Sequence, residues 1–175
     1  GACYAWSHNG VDVTFEEAVL ELGQRAAAVL CMGTCAAYGG IPAARPNPTG
    51  VVGVQALIGR PTINVAGCPP HPDWMVWTIV QLLLGRSPSL DEYGRPKAIF
   101  GAKIHSACPL KGTDEIHTFG VPGRCLKELG CRGPETYANC HLIRWNNGVN
   151  WCIGAGAPCH GCTSPTFPGT SALNR

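Results

Sequence analysis

Ala26-Ala27-Ala28-Val29-Leu30-Cys31-Met32-Gly33-Thr34-Cys35 is an unbroken apolar run closed by glycine, with a cysteine two residues past the break. Such a run, lacking alternation and bounded by a turn residue, predicts a strand buried on both faces of a parallel sheet. Thr62-Ile63-Asn64-Val65-Ala66-Gly67-Cys68-Pro69-Pro70 repeats the arrangement: a second buried run over residues 62–66, then glycine, then cysteine. Upstream of the first run, Thr14 and Glu17 have capping-box spacing, Phe15, Ala18, Val19 and Leu22 fall on one helical face, and Gly23 marks the stop. Between the runs, residues 33–48 read as a Gly- and Pro-rich loop, and Thr49 is placed to cap a short helix over 50–58. After the second run, residues 73–84 read as a helix with Asp73 as N-cap and Gly85 as stop. Strand, crossover, strand and helix predict an α/β fold with a parallel sheet.

Beyond about residue 90 this order dissolves into short stretches separated by Gly, Pro and Asn, and the cysteines crowd in. A segment with little core of its own can be stabilised by metal ligation. The expected organisation is therefore an α/β domain over residues 1–90 and an irregular, loop-rich, metal-stabilised domain over 91–175.

Composition narrows the class. Charged residues are only 14% of the 175 and the apolar fraction is 45%, so the chain is not disordered; it has little charged surface, as one face of a larger complex does. A net charge of +2 with no basic run gives no reason to expect nucleic acid as a partner. The longest apolar stretch, residues 75–84, is interrupted by Thr78 and Gln81 and is too short to span a bilayer. The chain opens at Gly1 with no methionine and no signal-peptide pattern, and reads as a soluble chain lacking its natural start.

Eleven cysteines are the strongest compositional fact. A disulfide framework, structural zinc and iron–sulfur clusters compete for them; the odd count and the ordered first half favour metal. Cys35 and Cys68 lie just past the C-terminal ends of the two buried runs, the edge of a parallel sheet where ligands collect. Alone they cannot complete a four-thiolate site, and a small buried apolar role is the competing reading. His105-x-x-Cys108 followed by Cys125 and Cys131 is a mixed set suited to an iron–sulfur cluster or to zinc. Cys140, Cys152 and Cys159-x-x-Cys162 supply four thiolates from one short segment, with Pro158 and Gly161 making the turn. Of the two cysteines left over, Cys31 sits inside a buried run as a structural residue, and Cys3 is unassigned.

The order of these motifs resembles the small subunit of nickel–iron hydrogenases. The resemblance rests on Gly33-Thr34-Cys35-Ala36 through Gly39-Gly40, Pro46-Asn47-Pro48-Thr49-Gly50, Gly67-Cys68-Pro69-Pro70, His105-x-x-Cys108, Glu128-Leu129-Gly130-Cys131, Gly133-Pro134, Asn139-Cys140, Asn150-Trp151 and Pro158-Cys159-x-Gly161-Cys162. It covers essentially the whole chain. The Gly-Thr-Cys and Gly-Cys-Pro-Pro pieces occur also in the cluster-bearing subunit of respiratory complex I, which lacks the downstream groups. The resemblance implies a flavodoxin-like first domain and a relay of three clusters: a proximal one on Cys35 and Cys68, a medial one on Cys140, Cys159 and Cys162, and a distal one on His105, Cys108, Cys125 and Cys131. It further implies a large subunit that holds the nickel–iron centre, a cytochrome or ferredoxin-like electron partner, and a periplasmic or membrane-associated setting.

Three departures from the family pattern sharpen the expectation. The family's N-terminal Cys-x-x-Cys, which completes the proximal site, is absent, so the chain is a fragment or a separate chain supplies those ligands. Cys152 stands where standard members carry proline, which implies a medial 4Fe–4S cluster in place of a three-iron one, as in nickel–iron–selenium members, and hence three 4Fe–4S clusters in all. Gly40 stands where oxygen-tolerant membrane-bound members carry an extra proximal cysteine. The competing expectations are a zinc-stabilised structural protein and a relative of the complex I subunit.

Overall fold

The computed structural model describes residues 3–169. The chain enters through an antiparallel hairpin, β1 (Tyr4–His8) and β2 (Val11–Thr14). Its turn is Asn9-Gly10, both with positive φ (51° and 77°), the conformation a two-residue hairpin turn demands. Helix α1 (Phe15–Arg25) follows at once, and the expected capping box is present in both directions between Thr14 and Glu17. Gly23 does not end this helix. It lies inside α1 against Ile58, where a Cβ would stand 2.8 Å from Ile58 Cγ2. The glycine serves close packing between helices, and the helix stops at Ala26.

The two buried runs form the expected parallel pair, β3 (Leu30–Met32) and β4 (Ile63–Val65), in the register Leu30↔Ile63, Cys31↔Asn64, Met32↔Val65. The regular strands are shorter than the apolar runs, because pairing is confined to three residues on each side. Cys31 is buried within β3, consistent with a structural role. Val65 and Ala66 are fully buried at the end of β4.

The segment read as a loop over residues 33–48 contains helix α2 (Thr34–Tyr38) and a single 3₁₀ turn, Ile41–Ala43. Gly33, at φ 96°, makes the break between β3 and α2 that a residue with a Cβ resists. Helix α3 (Val54–Ile58) is shorter than expected and starts from Gly53 without a side-chain cap. Thr49 therefore does not cap it. The preceding loop is instead closed by Asn47, whose side chain exchanges two 2.9 Å hydrogen bonds with the Val51 backbone.

Helix α4 (Pro72–Leu83) has His71, not Asp73, as its N-cap: His71 Nδ1 accepts the Asp73 amide at 3.1 Å. Pro72 takes the first helical position, where its missing N–H costs nothing. Gly85, at φ 70°, lies just beyond the end. After residue 90 the regular elements are short: α5 (Lys97–Phe100), α6 (Cys140–Ile143) and 3₁₀ turns at Ile104–Ala107, Lys127–Leu129 and Ile153–Ala155. One core joins the two halves. Val65 and Trp74 pack with Ile99, Phe100, Ile104, Leu126, Trp151 and Ile153. Burying a side chain of this size is worth about 1.5–3 kcal/mol, so a few such residues anchor a long irregular chain. Among the described residues no helix is long and apolar enough to cross a membrane.

Candidate metal centre

Cys35 and Cys68 are brought together at the carboxyl edge of the β3–β4 pair. Thr34 N–H donates to the Gly67 carbonyl at 2.9 Å, so the two post-strand segments are laced side by side. Both cysteines are exposed. Burial of its thiol and the neighbouring Cys35 raise the pKa of Cys68. Cys35 lies in the first turn of α2 and not in a loop, because Gly33 turns the chain straight from strand to helix. Gly40 presses on this site from the side. A Cβ there would stand 2.9 Å from both the nitrogen and the sulfur of Cys35, at a φ of 53°.

Cys140, Cys152, Cys159 and Cys162 line one cavity of about 550 Å³, together with Cys68, His160 and the apolar side chains of Trp74, Ile104 and Phe167. Cys140 stands in the first turn of α6. Cys152 leads into a 3₁₀ turn, and Cys159 and Cys162 flank the bend at Gly161, whose φ is 75°. Burial pushes Cys140 and Cys159 up to about 12; neighbouring thiols add to the shift at both, and a backbone hydrogen bond from Gly161 opposes it at Cys159. Cys162 is pushed up to about 11 by burial, against an opposing pull from the Cys68 backbone amide. Burial also raises Cys152. Such thiols hold their protons at neutral pH until a strong Lewis acid displaces them.

His105, Cys108, Cys125 and Cys131 form the third group. His105 and Cys108 sit on and just after the 3₁₀ turn Ile104–Ala107, which is pinned where His105 N–H donates to the Gly133 carbonyl at 3.0 Å. Gly133 lies between them and Cys131: a Cβ there would meet Cys131 Sγ at 3.4 Å and His105 Cβ at 3.8 Å. Cys125 is held in a short ladder, its amide donating to the Asp114 carbonyl and its carbonyl accepting the Ile116 amide, both at 3.1 Å. Cys108 is raised mainly by burial, and Cys131 and Cys125 add to the shift.

The three groups are tied to one another. Thr34, fully buried, donates from Oγ1 to the Cys162 carbonyl and accepts the Gly67 amide at 2.8 Å. Cys159 N–H donates to Cys131 Sγ at 3.3 Å, and Arg132 N–H donates to the Cys159 carbonyl at 2.7 Å. Arg95, 3% exposed, pairs with Asp91 at 2.8 Å and donates to the Thr163 carbonyl at 3.0 Å, beside Cys162. His71 is buried; its Nε2 lies 2.6 Å from the Arg144 carbonyl, and its ring packs 4.6 Å from that of Trp145. Thr34, Arg95 and His71 carry no ligand spacing, and the carbonyls they reach lie tens of residues away. The Asp91–Arg95 spacing, a charged pair in a charge-poor chain, is the one local signal for this set of supports.

The donor chemistry suits iron–sulfur clusters. Among the described residues, no three His, Cys, Asp or Glu side chains converge on a point that would hold a single ion. The four thiols line one cavity, and thiolates are the ligands that iron–sulfur clusters take. Cys3, at the foot of the hairpin, is exposed.

Comparisons with known proteins agree with this geometry. Residues 100–174 match the C-terminal family of the NiFe/NiFeSe hydrogenase small subunit, and residues 8–82 match the NADH ubiquinone oxidoreductase 20 kDa subunit family. The chain is 45% identical to the periplasmic nickel–iron–selenium hydrogenase small subunit of Desulfomicrobium baculatum, over 90% of this chain and 54% of that protein. It is 42% identical to the periplasmic nickel–iron hydrogenase small subunit of Solidesulfovibrio fructosivorans, over 86% of this chain and 50% of that one. Its fold matches the nickel–iron–selenium hydrogenase of Desulfovibrio vulgaris Hildenborough with a TM-score of 0.89 and 41% identity, covering 97% of this chain and 68% of the other. The chain therefore belongs to the small-subunit family of nickel–iron and nickel–iron–selenium hydrogenases. It spans about half the length of the curated relatives it matches.

Proposed function

We propose that this chain is the electron-relay part of a hydrogenase, carrying electrons between a nickel–iron centre in a large subunit and an external redox partner. The observation that carries the reading is the cavity lined by Cys140, Cys152, Cys159 and Cys162, tied to the strand-end pair through the Thr34–Cys162 bond and to the histidine-containing set through the Cys159–Cys131 bond. In this reading Cys35 and Cys68 hold half of a proximal cluster, the four cavity cysteines a medial 4Fe–4S cluster, and His105, Cys108, Cys125 and Cys131 a distal one. Clusters bound there would supply one-electron redox chemistry at graded potentials. The chain's own residues do the rest. Trp74, Ile104, Trp151 and Phe167 line the medial cavity with apolar surface. Thr34 and Arg95 fix the backbone of the Cys162–Thr163 segment from two sides. A neutral imidazole at His105 in place of a thiolate makes the distal potential less negative, as suits an exit point.

On this reading the first half corresponds to part of a flavodoxin-like domain, a four-thiolate proximal site needs two cysteines besides Cys35 and Cys68, and the division near residue 90 separates two cluster-bearing halves that share one core. A large subunit and a cytochrome or ferredoxin-like acceptor are the implied partners, and the names of the relatives favour a periplasmic setting. The test is the chain purified with its large subunit. About twelve cluster irons per complex, besides that of the nickel–iron centre, and hydrogen-dependent reduction of a dye are expected. About eight irons would mean that the proximal site is not completed. A colourless, zinc-loaded protein would overturn the reading.

A further inference from the structure

His160 is not among the ligands, yet it lies in the bend between Cys159 and Cys162 and lines the same cavity as Cys68, Cys140, Cys152, Cys159 and Cys162. Its Nδ1 is buried and has no hydrogen-bond partner among the described residues. A buried ring nitrogen left without a partner costs about 1–3 kcal/mol, and native structures seldom keep one without a reason. The other polar side chains lining the cavity do not offer it one. Thr136 Oγ1 donates to the Arg132 carbonyl, Thr163 Oγ1 donates to the Tyr137 carbonyl, Asn150 Oδ1 accepts the Trp151 amide, and Asn146 is exposed. The remaining side-chain surface is sulfur, with aromatic and aliphatic carbon around it.

Resting on the reading of this cavity as a cluster site, we propose that His160 is a positioning residue that donates Nδ1–H to a sulfur of the medial cluster and raises its potential. A hydrogen bond to sulfur stabilises the reduced form, which carries one more negative charge, so the one-electron potential becomes less negative. The effect opposes that of Cys152, whose fourth thiolate adds negative charge and lowers the potential relative to a three-iron cluster. The chain thus carries two opposing adjustments in one loop system. His160 moderates the drop that Cys152 introduces and keeps the medial station within reach of its neighbours. The role requires only the neutral imidazole with its proton on Nδ1.

The experiment uses the purified complex and the variants His160→Leu and His160→Gln. Potentiometric titration followed by electron paramagnetic resonance reads each cluster separately, and electron–nuclear double resonance after exchange into heavy water reads protons coupled to the reduced medial cluster. His160→Leu is expected to retain full iron, shift the medial potential to a more negative value, leave the other two unmoved and abolish one exchangeable coupling. His160→Gln, which keeps a donor, is expected to recover part of both. Full iron with an unchanged medial potential and unchanged couplings overturns the proposal. Loss of medial iron in both variants overturns it too, since that marks a purely structural residue. A wild-type complex without a four-iron signal from this cavity is a separate result, and it overturns the cluster reading itself.

Discussion

Thr34 Oγ1 donates to the carbonyl of Cys162, a residue 128 positions away in sequence, while accepting the amide of Gly67. One fully buried hydroxyl thereby stands beside Cys35 in sequence, beside the neighbour of Cys68 by its acceptor side, and against Cys162 by its donor side. It ties the backbone of the strand-end pair directly to that of the four-cysteine cavity.

Thr34→Val keeps the shape and removes both bonds, leaving a buried N–H and a buried carbonyl unsatisfied. A loss of about 1–3 kcal/mol in stability is expected, with weaker retention of iron in the cavity. Thr34→Ser should recover most of both. Denaturation midpoints and iron counts after dialysis against a chelator read the two effects. An unchanged Thr34→Val midpoint would show that the hydroxyl is dispensable.

Gly40 predicts its own intolerance. At φ 53° with Cys35 N and Sγ both 2.9 Å from a built Cβ, even alanine must displace Cys35. Gly40→Ala is expected to cost about 1–3 kcal/mol from the backbone conformation, with further loss from the contact. Thermal unfolding and the iron content of the strand-end site measure it.

If the cavity holds the proposed medial 4Fe–4S cluster, Cys152→Pro converts it to a three-iron one and raises its potential, with a fall of about one iron per chain. The spectroscopic mark is a three-iron signal in the oxidised protein. If the iron count and spectrum do not change, Cys152 is not a ligand.

Acidity bears on the cavity through proton competition. With Cys140 and Cys159 raised to about 12 and Cys162 to about 11, each thiol is protonated in the metal-free chain at neutral pH. Binding expels those protons, so apparent affinity rises with pH and continues to rise until the pH passes the raised values. Lowering the pH by one unit is expected to weaken metal retention by about tenfold for each thiol that must ionise. Iron transfer to a chelator compared at pH 8 and pH 7 tests the sign, and faster loss at the higher pH would contradict it.

How much of this is legible in the sequence depends on the range of the interaction. The α1 capping box, the two buried runs of a parallel sheet, and the placing of Cys140, Cys152, Cys159 and Cys162 around one cavity are legible from local pattern, and each is present; the register of 30–32 against 63–65 is not. Gly23 and Thr49 mislead because their surroundings are tertiary. Gly23 is small so that α1 can approach Ile58, and the polar closure of the 47–51 loop falls to Asn47. The surroundings of His71 are not local either, since only the fold brings Arg144 and Trp145 to it. Asn9-Gly10 is a local hairpin signal that the cysteine pattern overshadows. Thr34 and Arg95 cannot be found from pattern alone, since each takes its meaning from a carbonyl on the far side of the chain.

The bond from Cys159 N–H to Cys131 Sγ, with Arg132 N–H returned to the Cys159 carbonyl, has a consequence for how such a relay breaks. The two cysteine sets therefore share a clasp. On the proposed reading, oxidation of the Cys131 thiol removes the first of these bonds and leaves the loop bearing Cys159 held by the second, so damage to one set is felt in the other through a single backbone amide.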